Sequence, residues 1–139
     1  MIKGNVIQHD KCLDFILGGK SLFTLLNTKT DNRFTFKVKK DKVADIYFVS
    51  VLTSPDIYSF IGTIFEKNKF VHSKKSKIST DAQSVRVFKY VFNKLVSSEL
   101  EDYIELWHEG RCGKCGRVLT VPTSISTGFG PDCLRRLNK

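Results

Sequence analysis

Apolar residues change their period along the chain, and the changes mark its elements. Between residues 6 and 17, Val6, Ile7, Leu13, Phe15, Ile16 and Leu17 are mixed with polar residues and run into Gly18-Gly19. That pattern predicts a short helix with a glycine stop. Residues 21–27 are apolar and end in a polar turn at 28–32. Residues 34–40 then alternate, with Phe34, Phe36 and Val38 on one face and Thr35, Lys37 and Lys39 on the other, so the two segments predict a hairpin. Residues 46–52 are β-branched, aromatic and apolar on both faces, the pattern of a central strand. Ser54-Pro55-Asp56 predicts a turn, and residues 58–65 return as a fourth strand with Gly62 as a candidate bulge. Four strands with short connections predict a twisted antiparallel sheet.

Beyond residue 80 the period becomes helical. Val85, Phe88, Val91, Phe92, Leu95 and Val96 form an apolar stripe, and Ser79, Thr80 or Asp81 can cap its start. A helix over residues 81–97 is expected to cover one face of the sheet. Ser98 followed by Glu101 has the spacing of a capping box, and Leu100, Tyr103, Ile104 and Trp107 recur at i, i+3, i+4 and i+7. A second helix is therefore expected there, with Glu99, Asp102, Glu105 and Glu109 on its polar side. The expected fold class is α+β: an antiparallel sheet of about four strands covered by a helix, followed by a small zinc-knuckle or ribbon-like module. Residues 1–97 are expected to form the sheet domain, and residues 98–139 the second helix with the metal module.

Candidate chemistry is concentrated in that module. Cys112 and Cys115 form a Cys-x-x-Cys-Gly knuckle, whose two-residue gap lets both sulfurs meet one ion about 2.3 Å away. Cys133 follows Gly130-Pro131 at an expected helix start, where backbone N–H groups and the helix dipole favour a thiolate. Zinc needs a fourth ligand. His108, four residues before Cys112, is the expected one; Cys12 is an alternative delivered from the other end of the chain, and Asp132 is expected to point away. A redox Cys-x-x-Cys pair is the rival reading, but it needs neither a third cysteine nor a flanking histidine. One structural Zn(2+) per chain, held by His108, Cys112, Cys115 and Cys133, has no open position and does no hydrolysis. It staples a segment too small to fold by its own core.

Composition bounds what this chemistry can serve. The chain has 139 residues, 41% hydrophobic and 27% charged, enough for one compact domain, or a domain plus an appendage, without disulfides. Its apolar runs are too short for a membrane span, and the N-terminus lacks the apolar core of a secretory signal, so a cytoplasmic location is expected. The formal charge is +9, and it is clumped. Residues 67–80 carry five lysines and no acid, residues 99–109 five acids and no base, and residues 111–139 six bases against Asp132 alone. A polyanionic partner is expected, with DNA the leading one. The candidate phosphate contacts are Lys37, Lys39, Lys69, Lys74, Lys75, Lys77, Arg111, Lys114, Arg117, Arg135 and Arg136.

The stretch from His108 to Cys133 resembles a zinc-binding domain of unknown function found in many phage and prophage proteins. The resemblance rests on His108, Cys112, Cys115, Gly116, Arg117, Leu119, Thr120, Pro122, Ser124, Ile125, Gly128, Gly130, Pro131 and Cys133. A looser likeness covers Gly19-Lys20-Ser21, Phe23-Thr24, Arg33-Phe34-Thr35 and Tyr58 with Ile61-Gly62-Thr63. It implies a phage or mobile-element origin and one zinc ion, and it implies no activity. The expected function is non-enzymatic nucleic-acid binding, with exposed aromatics beside the sheet able to stack on bases. The alternative is a protein-binding inhibitor or modulator of a host defence or polymerase complex, docking through the acidic face. No Ser-His-Asp set, phosphate loop or paired acids point to an enzyme or a small-molecule substrate.

Overall fold

The computed structural model describes residues 5–119, 125 and 127–137, with the side chains of Arg136 and Leu137 outside the description. Thr120, Pro122 and Ser124 of the motif also lie outside the described residues. The elements in order are β1 (Val6–Ile7), α1 (His9–Ile16), β2 (Lys20–Asn27), β3 (Arg33–Lys40), β4 (Ile46–Ser54), β5 (Ile57–Phe65), β6 (Lys69–His72), α2 (Gln83–Val96), β7 (Ile104–His108) and α3 (Pro131–Leu137). Among the described residues, the strands form one antiparallel sheet of seven, in the order β1-β7-β2-β3-β4-β5-β6. The α+β class stands, with three strands more than the expected four.

The expected β2–β3 hairpin forms, with Phe23 opposite Phe36 and Lys20 opposite Lys39. Its turn is held by Asn27 Oδ1, which accepts the N–H groups of Lys29 and Thr30. β4 and β5 pair with the expected irregularity: Val49 is opposite Gly62 and Ser50 opposite Phe60, which leaves Ile61 as an extra residue. β6 escapes the sequence pattern, because its four residues sit inside the lysine-rich stretch. Glu66 and Lys67 turn into it with φ of 56° and 61°, the positive angles of a tight hairpin turn.

The helix expected from Ser98 is instead strand β7. Ser98 has φ of 59° and so cannot be an N-cap, which takes an extended conformation. Ile104, Leu106 and His108 alternate inward, and β7 fills the gap between β1 and β2, pairing Ile7 with Leu106 and Leu25 with Leu106 on its two sides. Satisfying two strand edges outweighs the i, i+3, i+4 coincidence of the stripe. The expected boundary at residues 97 and 98 falls between α2 and β7, and residues from both sides of it share one core.

α1 and α2 pack on the same face of the sheet. α1 buries Cys12, Phe15 and Ile16, and α2 buries Val85, Phe88, Val91, Phe92 and Leu95. The expected caps of α2 are not used: Ala82 occupies the N-cap, and Ser79 accepts the N–H of Asp81 just before it. A row of rings crosses the core from Phe129 to Phe15, Phe23, Phe36, Phe88 and Phe70, with successive centroids 5.8, 6.2, 5.9, 5.1 and 4.8 Å apart. These spacings suit tilted and edge-on aromatic contacts. Among the described residues, no helix is long and apolar enough to cross a membrane.

Candidate functional site

Two regions carry chemistry: a cysteine cluster at the end of α1, and the face of the sheet that α1 and α2 leave uncovered. The cluster begins with a tight knuckle. Arg111 pairs with Val118 as an isolated antiparallel bridge, the Cys112 N–H donates to Arg117 O at 2.8 Å, and the Gly116 N–H donates to Cys112 O at 2.9 Å. This loop is seated against the sheet domain, because the Lys20 N–H donates to Gly113 O at 2.9 Å. Phe15 allows no Cβ beside it. One on Gly113 would lie 2.7 Å from its ring, and one on Gly128, already at φ of 79°, would lie 2.6 Å away.

The knuckle and the first turn of α3 bring the sulfurs of Cys112, Cys115 and Cys133 within 4.8 Å of one another. Edges of a zinc–sulfur tetrahedron measure roughly 3.8 Å, so small shifts close the set on an ion. Burial alone would raise the Cys112 thiol. The N–H groups of Cys115, Gly130 and Lys114, with the Cys115 thiol, hold it below its ordinary value. Burial, then hydrogen bonds and charge from the other two cysteines, pushes Cys133 up to about 12. Three cysteine sulfurs gathered beside backbone N–H donors are a donor set that fits a thiophilic metal, with protons released on binding.

His108 stands apart from this set. It is 2% exposed on the inner face of β7, its Nδ1 accepts the Gly110 N–H at 2.9 Å, and its Nε2 lies 2.5 Å from Ile125 O. An accepting Nδ1 places the proton on Nε2, which donates to the carbonyl. Both nitrogens are thus committed, and the three sulfurs come together without the histidine expected among them. Cys12 is also elsewhere, buried in α1 with its thiol directed at Ile7 O and Gln8 O, and pushed up to about 12 by burial and then by Asp10. Asp132 points to Arg135, as expected of a non-ligand.

Burial lowers the pKa of His108 despite the opposing influence of Ile125 O and Glu109. The imidazole is therefore held neutral in the fold, and its contribution is complete above the unfolded value near 6.5. It is lost as the pH falls below that value, because the unfolded chain then binds the extra proton. The denaturation midpoint of the metal-free protein should drop between pH 7 and pH 5, and the drop should shrink in His108→Gln.

The uncovered face of the sheet is built by the other half of each alternation. Lys37 and Lys39 of β3 lie on it, as the sequence pattern predicts, beside Ser50 and Phe48 of β4. Lys20 joins them opposite Lys39, and Lys69 and Val71 of β6 extend the face to the far edge. Phe48, 37% exposed, meets Phe60 with ring centroids 6.2 Å apart, and Lys37 Nζ sits 4.5 Å above the Tyr58 ring. Trp107, expected on the apolar stripe of a second helix, lies on this face instead, paired with Thr24 of β2 and donating to Glu105 Oε1. Sequence reasoning expected exposed aromatics beside the sheet but did not name Phe48, Tyr58, Phe60 or Trp107 for this face, and it missed Lys20. The apolar two-sided pattern of residues 46–52 was the available signal, since only Tyr47, Val49 and Val51 of that strand are buried.

The remaining candidate cations are spread over other elements. Lys74, Lys75 and Lys77 are exposed in the connection from β6 to α2, and Arg111, Lys114 and Arg117 are exposed on the knuckle. Arg135 is exposed on α3 and paired with Asp132, while the Arg136 side chain lies outside the described residues. The expected acidic helix face does not exist. Glu99 and Asp102 precede β7, whereas Glu105 lies on it and Glu109 just beyond it, where Thr24 donates to Glu109 Oε1 at 2.9 Å.

Residues 108–138 match the model of a family of unknown function, DUF6011. The match covers the knuckle, Cys133 and α3, and leaves β1 to β6 outside it. No curated protein matches the chain, and no solved structure does.

Proposed function

We propose that the protein is a non-enzymatic, zinc-containing nucleic-acid-binding accessory protein of a phage or mobile element, and that it holds single-stranded DNA on the open face of its sheet. One observation carries this reading: Lys20, Lys37 and Lys39 share an uncovered face with Phe48, Tyr58, Phe60 and Trp107. Bases of a single strand present π-faces that stack on such rings for about 1–3 kcal/mol each, while lysines between them meet phosphates. A duplex hides those faces, so single strands are preferred. The +9 charge supports a polyanion. Three thiolates at this spacing favour zinc, whose work is to join the knuckle to α3. The motif from His108 to Cys133 supports the phage origin.

Trp107 is the sole tryptophan, so its fluorescence reports on the face directly. Single-stranded oligonucleotide should quench it, and duplex should do so only weakly. Lys37→Glu with Lys39→Glu should weaken binding to all sequences by roughly tenfold or more and lower the salt slope by roughly 0.7 for each phosphate no longer neutralised. Reversal of Lys74, Lys75 and Lys77 should cost less. Absence of binding to any probe at low salt would sink the nucleic-acid reading.

A further inference from the structure

Every His, Cys, Asp and Glu of the chain falls among the described residues, yet no fourth one joins the three sulfurs. His108 is the nearest histidine in sequence, and it is engaged twice. Its Nδ1 fixes the Gly110 N–H at the entry to the knuckle, and its Nε2–H fixes Ile125 O in the segment leading to Cys133. Its ring also packs against Phe15, with centroids 6.1 Å apart. Turning it onto a metal would break both bonds and leave the part-buried Ile125 carbonyl without its donor.

We infer that the cluster is a three-thiolate site whose fourth position is filled by an exchangeable donor from outside the chain, and that His108 is a positioning residue for it. The inference rests on the reading that the cluster binds a metal. Cys112 is fully buried and Cys133 nearly so, while Cys115 is partly exposed, so the site meets solvent on the Cys115 side. Three thiolates on a divalent ion leave one net negative charge. Arg111, Lys114 and Arg117, exposed around the knuckle, offset a further anionic donor. The class of ligand this favours is a small soft donor, a thiolate or an imidazole, displacing water.

The test uses the full chain loaded with Co(II). Charge-transfer intensity should count three thiolates, and the visible bands should shift saturably when 2-mercaptoethanol or imidazole is added. His108→Gln should weaken Co(II) binding by roughly 10–100-fold, as loss of a supporting hydrogen bond does, while band positions stay unchanged. Because that variant can fail to fold, the wild-type imidazole is also followed by ¹⁵N spectra with Zn(2+): retention of the protonated Nε2 and unprotonated Nδ1 supports the inference. A metal-dependent shift showing a metal-bound His108 nitrogen, or bands indifferent to both probes, overturns it. Absence of any metal uptake overturns the metal reading beneath it, an outcome distinct from the other two.

Discussion

Phe15→Ala is expected to destabilise the protein by about 3–5 kcal/mol, the range for losing a buried phenylalanine in a core that cannot collapse around the gap. Phe15 is fully buried, and its ring meets Phe23, His108 and Phe129. Gly113 and Gly128 close over it without side chains of their own, so nothing nearby can move in to fill the space. The same ring separates the sheet from the knuckle, and its loss should therefore weaken metal binding as well as stability. Urea unfolding with and without Zn(2+) reads both effects. A variant that loses less than about 1 kcal/mol, or loses stability with metal affinity intact, would show that Phe15 is not the joint between the two regions.

Removal of the metal is expected to have the largest effect of all. Structural zinc sites contribute about 10 kcal/mol or more of binding energy that is also folding energy. By sequence alone, Cys115→Ser would be expected to unfold the C-terminal third and spare the sheet. The shared core changes that expectation: Cys112, Leu119, Phe129 and Cys133 are buried in the same cluster as Ile7, Phe15 and Ile16. Loss should spread into α1 and the β1–β7 edge, and stop before β4 and β5. Hydrogen exchange of the zinc-loaded protein before and after chelation, alongside Cys115→Ser, locates it. Unchanged melting on chelation would mean that the cluster bears no structural metal, and fraying confined to residues beyond 108 would mean that the core is not shared in energetic terms.

How much of this was legible in the sequence depends on how local each signal is. The β2–β3 hairpin was readable because Phe34, Phe36 and Val38 alternate within one segment. So were α2 and the knuckle, whose spacings lie within a few residues. β1 has two residues and β6 four, too few to show a period, and β7 takes its identity from partners about 80–100 residues away in β2 and β1. Trp107 satisfies a helical stripe and a strand alternation equally, so pattern alone could not place it. The three cysteines were legible from spacing. His108 was assigned by proximity, and nothing in a sequence reports that a backbone N–H and a carbonyl will occupy both nitrogens of an imidazole.

The extra residue at Ile61 has a wider effect on β5 than its local irregularity. Tyr58, Phe60 and Ile64 are all even-numbered, and in a regular strand they would face one way. Because Ile61 is skipped in the pairing with β4, Tyr58 and Phe60 read outward and Ile64 inward. The strand in effect changes reading frame halfway along, so that its even-numbered positions serve the aromatic face in the first half and the core in the second. The open face is thus set by chain length as much as by residue type: shortening β5 by one residue there would exchange what is displayed for what is hidden, without altering any of those three side chains.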